Sequence, residues 1–382
     1  MQQADLNDHQ WMQKALALAE QGRYSTRPNP AVGCVIVKDG RLIAEGWHVK
    51  AGEPHAEVLA LAQADKEAKG ATAYVTLEPC SHFGKTPPCA NALVASGVSR
   101  VVIAMQDPNP LVAGKGIEIL KQAGIVVDVG IEQEQAQALN KGFIKRMKIQ
   151  RPVVRVKLAS SVDGKTAMAS GESVWITGNE ARQSVHLMRA QHGAIVTGIG
   201  TVLADDPQLN ARLPIEVMTE NGLTPELCHP IRVVLDPNLS MPLDAKMLSL
   251  PGKTLLMTSS LAVEQNRKYA DQLIEQGAEI VAVQSDEERL DLQSVLEYLA
   301  QEEQVNDVMV ESGAIVAGAF IEAGLVDELH WYLAPHLMGH QGKPLVMLPS
   351  LHTMQDRIEL ITQSVQPLGR DFHFVFSIES NK

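Results

Sequence analysis

Apolar positions between residues 11 and 19 recur at helical spacing, so the chain opens on an amphipathic helix. Residues 32–37 and 42–47 read as two strands joined by a turn at Asp39-Gly40. A helical pattern follows over 55–68, then a strand at 73–77, a helix at 89–95 and a strand at 101–105. A helix near 116–123, a strand at 125–129 and a helix from Glu132 complete this half. Strands alternating with helices imply α/β layers.

The segment 145–152 is basic and ends in a proline, and it marks the expected boundary between domains at 1–147 and 152–382. Beyond it, strands are predicted at 153–158, 194–197, 232–235, 254–257, 279–283, 308–310, 328–334 and 372–378. Helices are predicted at 180–190, 263–276, 292–301 and 315–323. Residues 204–230 carry several prolines and read as a long loop. No internal repeat links the halves, which implies two different functions.

Composition narrows the class. Of 382 residues 45% are hydrophobic and 20% charged, as in an ordinary folded protein. With 33 basic and 45 acidic residues the net charge is −12, which argues against nucleic acid or an anionic membrane as partner. No secretory leader and no membrane-length apolar run is visible, so a cytoplasmic location is expected. The cysteines Cys34, Cys80, Cys89 and Cys228 are too few for a disulfide framework, and in a reducing compartment close cysteines read as metal ligands.

The chemistry of the first half lies in His55-Ala56-Glu57, Pro79-Cys80 and Pro88-Cys89. One histidine and two cysteines form a donor set suited to zinc, and three protein ligands leave a position for water, as in a catalytic site. Glu57 is not needed as a ligand and stands close enough in sequence to shuttle the water's proton. His-x-Glu followed by Pro-Cys and a second cysteine is the signature of zinc nucleobase deaminases, although here eight residues separate the cysteines instead of two. A structural zinc site is the alternative, with His48 or His82 as the fourth ligand. Cys34 lies in a predicted strand and reads as a buried apolar residue.

The long insert carries a more specific likeness. The half from residue 8 to 145 resembles the pyrimidine deaminase domain of the bifunctional deaminase–reductases of riboflavin biosynthesis. The matching runs are Pro28-Asn29-Pro30-Ala31-Val32-Gly33, Gly46-Trp47-His48, His55-Ala56-Glu57, Pro79-Cys80-Ser81-His82-Phe83-Gly84-Lys85-Thr86-Pro87-Pro88-Cys89 and Asp107-Pro108-Asn109-Pro110. The resemblance implies one zinc held by His55, Cys80 and Cys89, Glu57 as proton shuttle, and Asn29 against the pyrimidine. Lys85 and His82 are candidate contacts for the substrate's ribose phosphate.

The second half shows no complete dinucleotide fingerprint. Gly198-Ile199-Gly200 lacks the third glycine, and Glu311-Ser312-Gly313-Ala314-Ile315-Val316-Ala317-Gly318 offers small residues at a helix start. It is similar to the reductase domain of the same family, a relative of the dihydrofolate reductase fold. The runs Lys157–Lys165, Gly171–Thr177, Gly198–Pro207 and Val310–Gly313 carry the likeness. The implied architecture is a cytidine-deaminase-like three-layer α/β domain followed by a dihydrofolate-reductase-like one.

The resemblance implies NADPH contacts at Ala159, Trp175, Thr201, Asp205 and the run Gly313, Ala314, Ile315, Val316, Ala317, Gly318 and Ala319. It implies substrate contacts at Ser173, Arg189, Leu209, Arg212 and Glu311. Arg189 and Arg212 are suited to grip a sugar phosphate bidentately. Lys157 and Asp163 are candidates for handling charge and protons. Pro237 follows the Asp of Val-Leu-Asp where the family often has a hydroxyl residue, which removes a cofactor hydrogen bond there.

The function implied is hydrolytic deamination of a diaminopyrimidinone ribosylamine phosphate, then NADPH reduction of its ribosyl chain to ribityl. A homo-oligomer acting on this small molecule, with no nucleic acid or membrane partner, is expected. A nucleic-acid-editing deaminase is disfavoured by the acidic balance. A non-catalytic zinc protein is disfavoured by the intact Glu57.

Overall fold

A computed structural model describes residues 3–81, 88–110, 112–173, 176–286 and 289–378, with side chains from Asp8 onward. The chain divides into two units, Met1–Arg151 and Pro152–Lys382. In the first, strands β1 (Gly33–Lys38), β2 (Arg41–Trp47), β3 (Thr72–Val75), β4 (Arg100–Ile103) and β5 (Val126–Val129) make one sheet in the order β2-β1-β3-β4-β5. β1 runs antiparallel to β2 and β3, whereas β3, β4 and β5 are parallel. At the hairpin, Asp39 and Gly40 both take positive φ, 50° and 73°, the turn geometry whose twist matches that of two paired strands.

The helix Gln3–Gln21 covers one face of this sheet. Ala56–Ala64, Cys89–Ser96 and Lys115–Gln122 cover the other, giving three layers. Two glycines set the spacing. A Cβ on Gly33 would lie 2.0 Å from the Ala15 carbonyl oxygen, and one on Gly46 2.8 Å from that of Ala56. Gly46 therefore lets the helix bearing Glu57 lie directly on β2. The predicted helix at 55–68 is an α-helix to Ala64 continued as a 3-10 turn, Asp65–Ala68. The basic segment from Lys145 belongs to the helix Lys141–Ile149, where the buried Arg146 donates to the Pro28 carbonyl at 3.1 Å.

The second unit holds β6 (Val153–Ser161), β7 (Lys165–Ala167), β8 (Ala194–Gly198), β9 (Ile231–Leu235), β10 (Thr254–Ser259), β11 (Ala278–Val283), β12 (Asp307–Glu311), β13 (Glu328–Ala334), β14 (Lys343–Pro344), β15 (Leu360–Leu368) and β16 (Asp371–Ile378). Nine of them form a sheet in the order β11-β10-β9-β8-β12-β6-β13-β16-β15, and β7 pairs with β14 apart from it. The run from β11 to β13 is parallel, and β16 and β15 are added antiparallel. The central strands are buried on both faces, which is why they read as continuous apolar runs.

Chain order places β6, then β8 to β11 outward, and only then β12, which enters between β8 and β6. A crevice at the carboxyl ends of strands where the order reverses is the usual ligand site of such a sheet. Lys157 of β6 and Glu311 of β12 are register partners there.

Three expectations change. The stretch 204–230 is not all loop, because it contains the helix Ile215–Glu220 and the 3-10 turn Pro225–Cys228. The helix expected at 263–276 is broken at Asn266 into Ser260–Gln265 and Arg267–Glu275. Strand β15 was not predicted. A register shift between Thr362 and Ser364 breaks its alternation, and it carries Pro367, which only an edge strand tolerates.

Candidate active sites

In the first unit, His55 caps the helix Ala56–Ala64 at its start, and Glu57 lies in that helix's first turn, 3% exposed. Cys80 follows β3, and Cys89 is the first residue of its own helix. The positive ends of two helices thus face the groups that must carry negative charge. His55 Nδ1 lies 3.7 Å from Cys80 Sγ and 3.3 Å from Cys89 Sγ. All three donor atoms fall within 4.8 Å of one another. Tetrahedral zinc with bonds of about 2.0 Å to nitrogen and about 2.3 Å to sulfur sets its donors roughly 3.5 to 3.8 Å apart, so this set fits the ion.

Hydrogen bonding with Cys89 and His55 pushes the Cys80 thiol down, against its burial. Burial pushes the Glu57 carboxyl up to about 7. Cys34 is fully buried in β1, and burial raises its thiol, in accord with an apolar role.

Two neighbours hold this arrangement. His48, a candidate fourth ligand, is not in the donor cluster. Its Nδ1 lies 3.2 Å from the Pro54 carbonyl and its Nε2 3.2 Å from Asn29 Nδ2, and its ring stands edge-on to that of His55 with centroids 5.2 Å apart. With Asn29 Nδ2 donating to His48, its Oδ1 remains as an acceptor. Glu78, with no sequence signal beyond its place before Pro79-Cys80, is buried and accepts backbone N–H bonds from Asp107, Gly114, Gly116 and Ile117. It ties the segment leading to Cys80 to the start of the helix Lys115–Gln122.

Glu78→Ala is expected to cost on the order of 2–3 kcal/mol by orphaning buried donors. Urea unfolding measures it, and an unchanged midpoint would contradict this role. His82 and Lys85 lie outside the described residues.

In the second unit the carboxyl end of β12 presents Glu311. Arg189, from the helix Asn179–Ala190, grips it with Nε and Nη2, each at 2.8 Å, and spends Nη1 on the Asn210 carbonyl at 3.1 Å. Lys157 Nζ stands 3.5 Å from the same carboxylate. The two cations hold Glu311 ionised far below the usual carboxylate range, although burial opposes them. The bidentate fork expected for a sugar phosphate is therefore engaged internally at Arg189. Arg212 gives Nη1 to Gln208 and Asn210.

Leu209 is only 2% exposed, and its φ is 49°. Ser173 is exposed in a loop. Hydrogen bonds from the Ser161 hydroxyl and the Met338 and Gly339 amides pull the Asp163 carboxyl down to about 2, so it closes a turn.

For the cofactor, Gly313 caps the helix Ala314–Glu322 at the end of β12, and Gly198 caps Ile199–Asp205 at the end of the adjacent β8. Thr201 Oγ1 lies 4.0 Å from where a Gly313 Cβ would stand, so the two helix starts are neighbours. Their free N–H groups form a cradle suited to a pyrophosphate. That cradle involves only the first turn of the run from Gly313. The Ala317 N–H is spent on the Gly313 carbonyl, Ala317 is buried in the core, and Gly318 packs under the Met347 carbonyl. Ala159 is half-buried on β6, and Asp205 is exposed at its helix end. Trp175 lies outside the described residues. Pro237 offers only its carbonyl, which accepts from the Ser259 hydroxyl at 2.9 Å.

Residues 152–374 match the family described as the RibD C-terminal domain, and residues 6–105 match the cytidine and deoxycytidylate deaminase zinc-binding region. The riboflavin biosynthesis protein RibD of Escherichia coli is 46% identical over 96% of this chain and 98% of its own length. The chain belongs to the RibD family. Among solved structures, Acinetobacter baumannii RibD superposes with a TM-score of 0.88 at 46% identity, covering 98% of this chain and all of that one. A diaminohydroxyphosphoribosylaminopyrimidine deaminase/5-amino-6-(5-phosphoribosylamino)uracil reductase from Thermotoga maritima gives 0.83 at 33% identity, with the same coverage.

As a RibD family member the chain is a bifunctional enzyme of riboflavin biosynthesis, a zinc-dependent deaminase and an NADPH-dependent reductase. Its fold is a cytidine-deaminase-like domain followed by a dihydrofolate-reductase-like one. No helix among the described residues is long and apolar enough to cross a membrane.

Proposed function

We propose that the cluster around His55 deaminates the family's diaminopyrimidinone ribosylamine phosphate and that the crevice around Glu311 reduces the deaminated product. The observation that carries this reading is the buried Glu57 carboxyl beside a zinc-competent His-Cys-Cys set. His55, Cys80 and Cys89 hold the ion, which when bound supplies a Lewis acid that makes water a nucleophile near neutrality. A carboxyl near 7 both accepts and returns a proton at cellular pH, so Glu57 carries one proton of the water to the ring nitrogen and the other to the leaving amine, which departs as ammonia while the oxygen stays on the ring carbon. Asn29, aligned by His48, orients the pyrimidine.

In the second unit, NADPH supplies the hydride when bound. Glu311, fixed by Arg189 and Lys157, is a rigid acceptor for substrate hydroxyls, and Lys157 is the cation best placed to neutralise charge at the reacting carbon. Gly313, Ala314, Ile315, Val316 and Thr201 face the cofactor phosphates, with Ala159 and Asp205 completing its site. Ser173, Leu209 and Arg212 hold the substrate.

The test is incubation of the purified chain with the diaminopyrimidinone, with and without NADPH. Ammonia is expected in both cases, and ribityl product with NADP+ only when NADPH is added. Absence of ammonia, or NADPH oxidation without a ribityl product, would overturn the reading. We also infer a homo-oligomer working in the cytoplasm, the first part of which sedimentation velocity measures.

A further inference from the structure

A cavity of about 440 Å³ in the second unit is lined by Arg189, Asp206, Pro207, Gln208, Leu209, Arg212 and Lys246. Of its three cations, Arg189 has its charge balanced by Glu311, and its Nε, Nη1 and Nη2 each spend an N–H on Glu311 or the Asn210 carbonyl. Arg212 keeps Nε and Nη2 beyond the bonds made by its Nη1. His186 adds no charge at neutral pH. Its Nδ1 accepts the Arg212 amide, and burial with two nearby guanidiniums pushes it down to about 4. Arg212 is thus the guanidinium of this lining whose hydrogen bonds go to neutral groups, and a phosphate dianion is better matched by two cations than by one.

Lys246 supplies what is missing. It opens the 3-10 turn Lys246–Ser249, and its backbone is pinned by the buried Ala245, Met247 and Leu248 on either side. Its amide donates to Asp206 Oδ1 at 2.9 Å. The side chain is 60% exposed, with Nζ 3.2 Å from Asp206 Oδ2. An exposed pair of this kind is weak, so the ammonium is free to exchange Asp206 for a better anion. The backbone under it stays fixed.

Given the assignment of this crevice to the reductase substrate, we propose that Lys246 Nζ, which lines the same cavity as Arg212, is the second cation of the seat for the substrate's phosphate. Asp206 holds the ammonium until substrate arrives.

The experiment is steady-state reduction by the full chain, with the deaminated substrate and with its dephosphorylated counterpart. Lys246→Gln is expected to raise KM for the phosphorylated substrate by about tenfold to a hundredfold, the loss of a charge-assisted bond. It should leave kcat and the dephosphorylated substrate nearly unchanged, and Lys246→Arg should restore most of the affinity. Asp206→Asn should leave KM unchanged or lower it, because it removes an anion beside the phosphate.

If Lys246→Gln and Asp206→Asn weaken binding alike, Lys246 is only a structural partner of Asp206, and the proposal fails. An unaltered KM in Lys246→Gln sinks it as well. Arg212→Ala separates the two levels. If it abolishes the preference for the phosphorylated substrate while Lys246→Gln does not, the crevice stands and Lys246 is wrong. If neither variant touches that preference, the phosphate sits elsewhere and both readings fall.

Discussion

Glu57→Gln is expected to keep its fold and its zinc and to lose deamination by about a hundredfold or more. The side chain is 3% exposed in the first turn of its helix, and glutamine matches its shape, so packing is preserved. What disappears is a carboxyl whose burial places it at about 7, where it trades a proton in both directions. An amide cannot do this. Because a neutral amide is also cheaper to bury than a carboxylate, the variant should unfold no more easily than the parent. Its reductase activity on already deaminated substrate should match the parent. Ammonia release, metal content and NADPH oxidation on one preparation check all three statements, and ammonia at the parent rate would remove Glu57 from the proton path.

Cys80→Ala is expected to bring zinc to well below one ion per chain after dialysis and to abolish deamination, while NADPH binding survives. Two of the three donors remain, but one of the two sulfurs that complete the set within reach of His55 Nδ1 is lost, and two ligands hold zinc far more weakly than three. The cofactor cradle, Gly198 with Gly313, is built within the other unit. Elemental analysis and NADPH fluorescence are the measurements. Full zinc occupancy in the variant would refute the ligand assignment. A folded variant unable to bind NADPH would refute the separation of the two sites.

The zinc donors were legible because each is local. His55 and Glu57 share one helix start, and the two Pro-Cys pairs sit where a strand ends and a helix begins. Glu78 was not, because its partners lie 29 to 39 residues away and nothing in a single Glu announces four backbone donors. Arg189 shows the same limit. Its residue type suggested phosphate, but the partner that claims its fork, Glu311, is 122 residues distant. Strand β15 escaped because its bulge and proline mask the two-residue period that marks a strand.

The alternation of strands and helices, the candidate zinc set with Glu57 beside it, and the likeness to a two-domain deaminase–reductase were all readable along the chain. These depend on spacing along a regular helix or strand and on residue chemistry, both written in neighbouring positions. Which polar groups are already engaged became visible in the folded chain. Strand order set Lys157 beside Glu311, and packing paired Arg189 with Glu311 and left Lys246 exposed among the residues that line a cavity. Hydrogen-bond satisfaction inside a fold is settled by partners brought together across the whole chain, and each buried donor must find an acceptor wherever the packing supplies one.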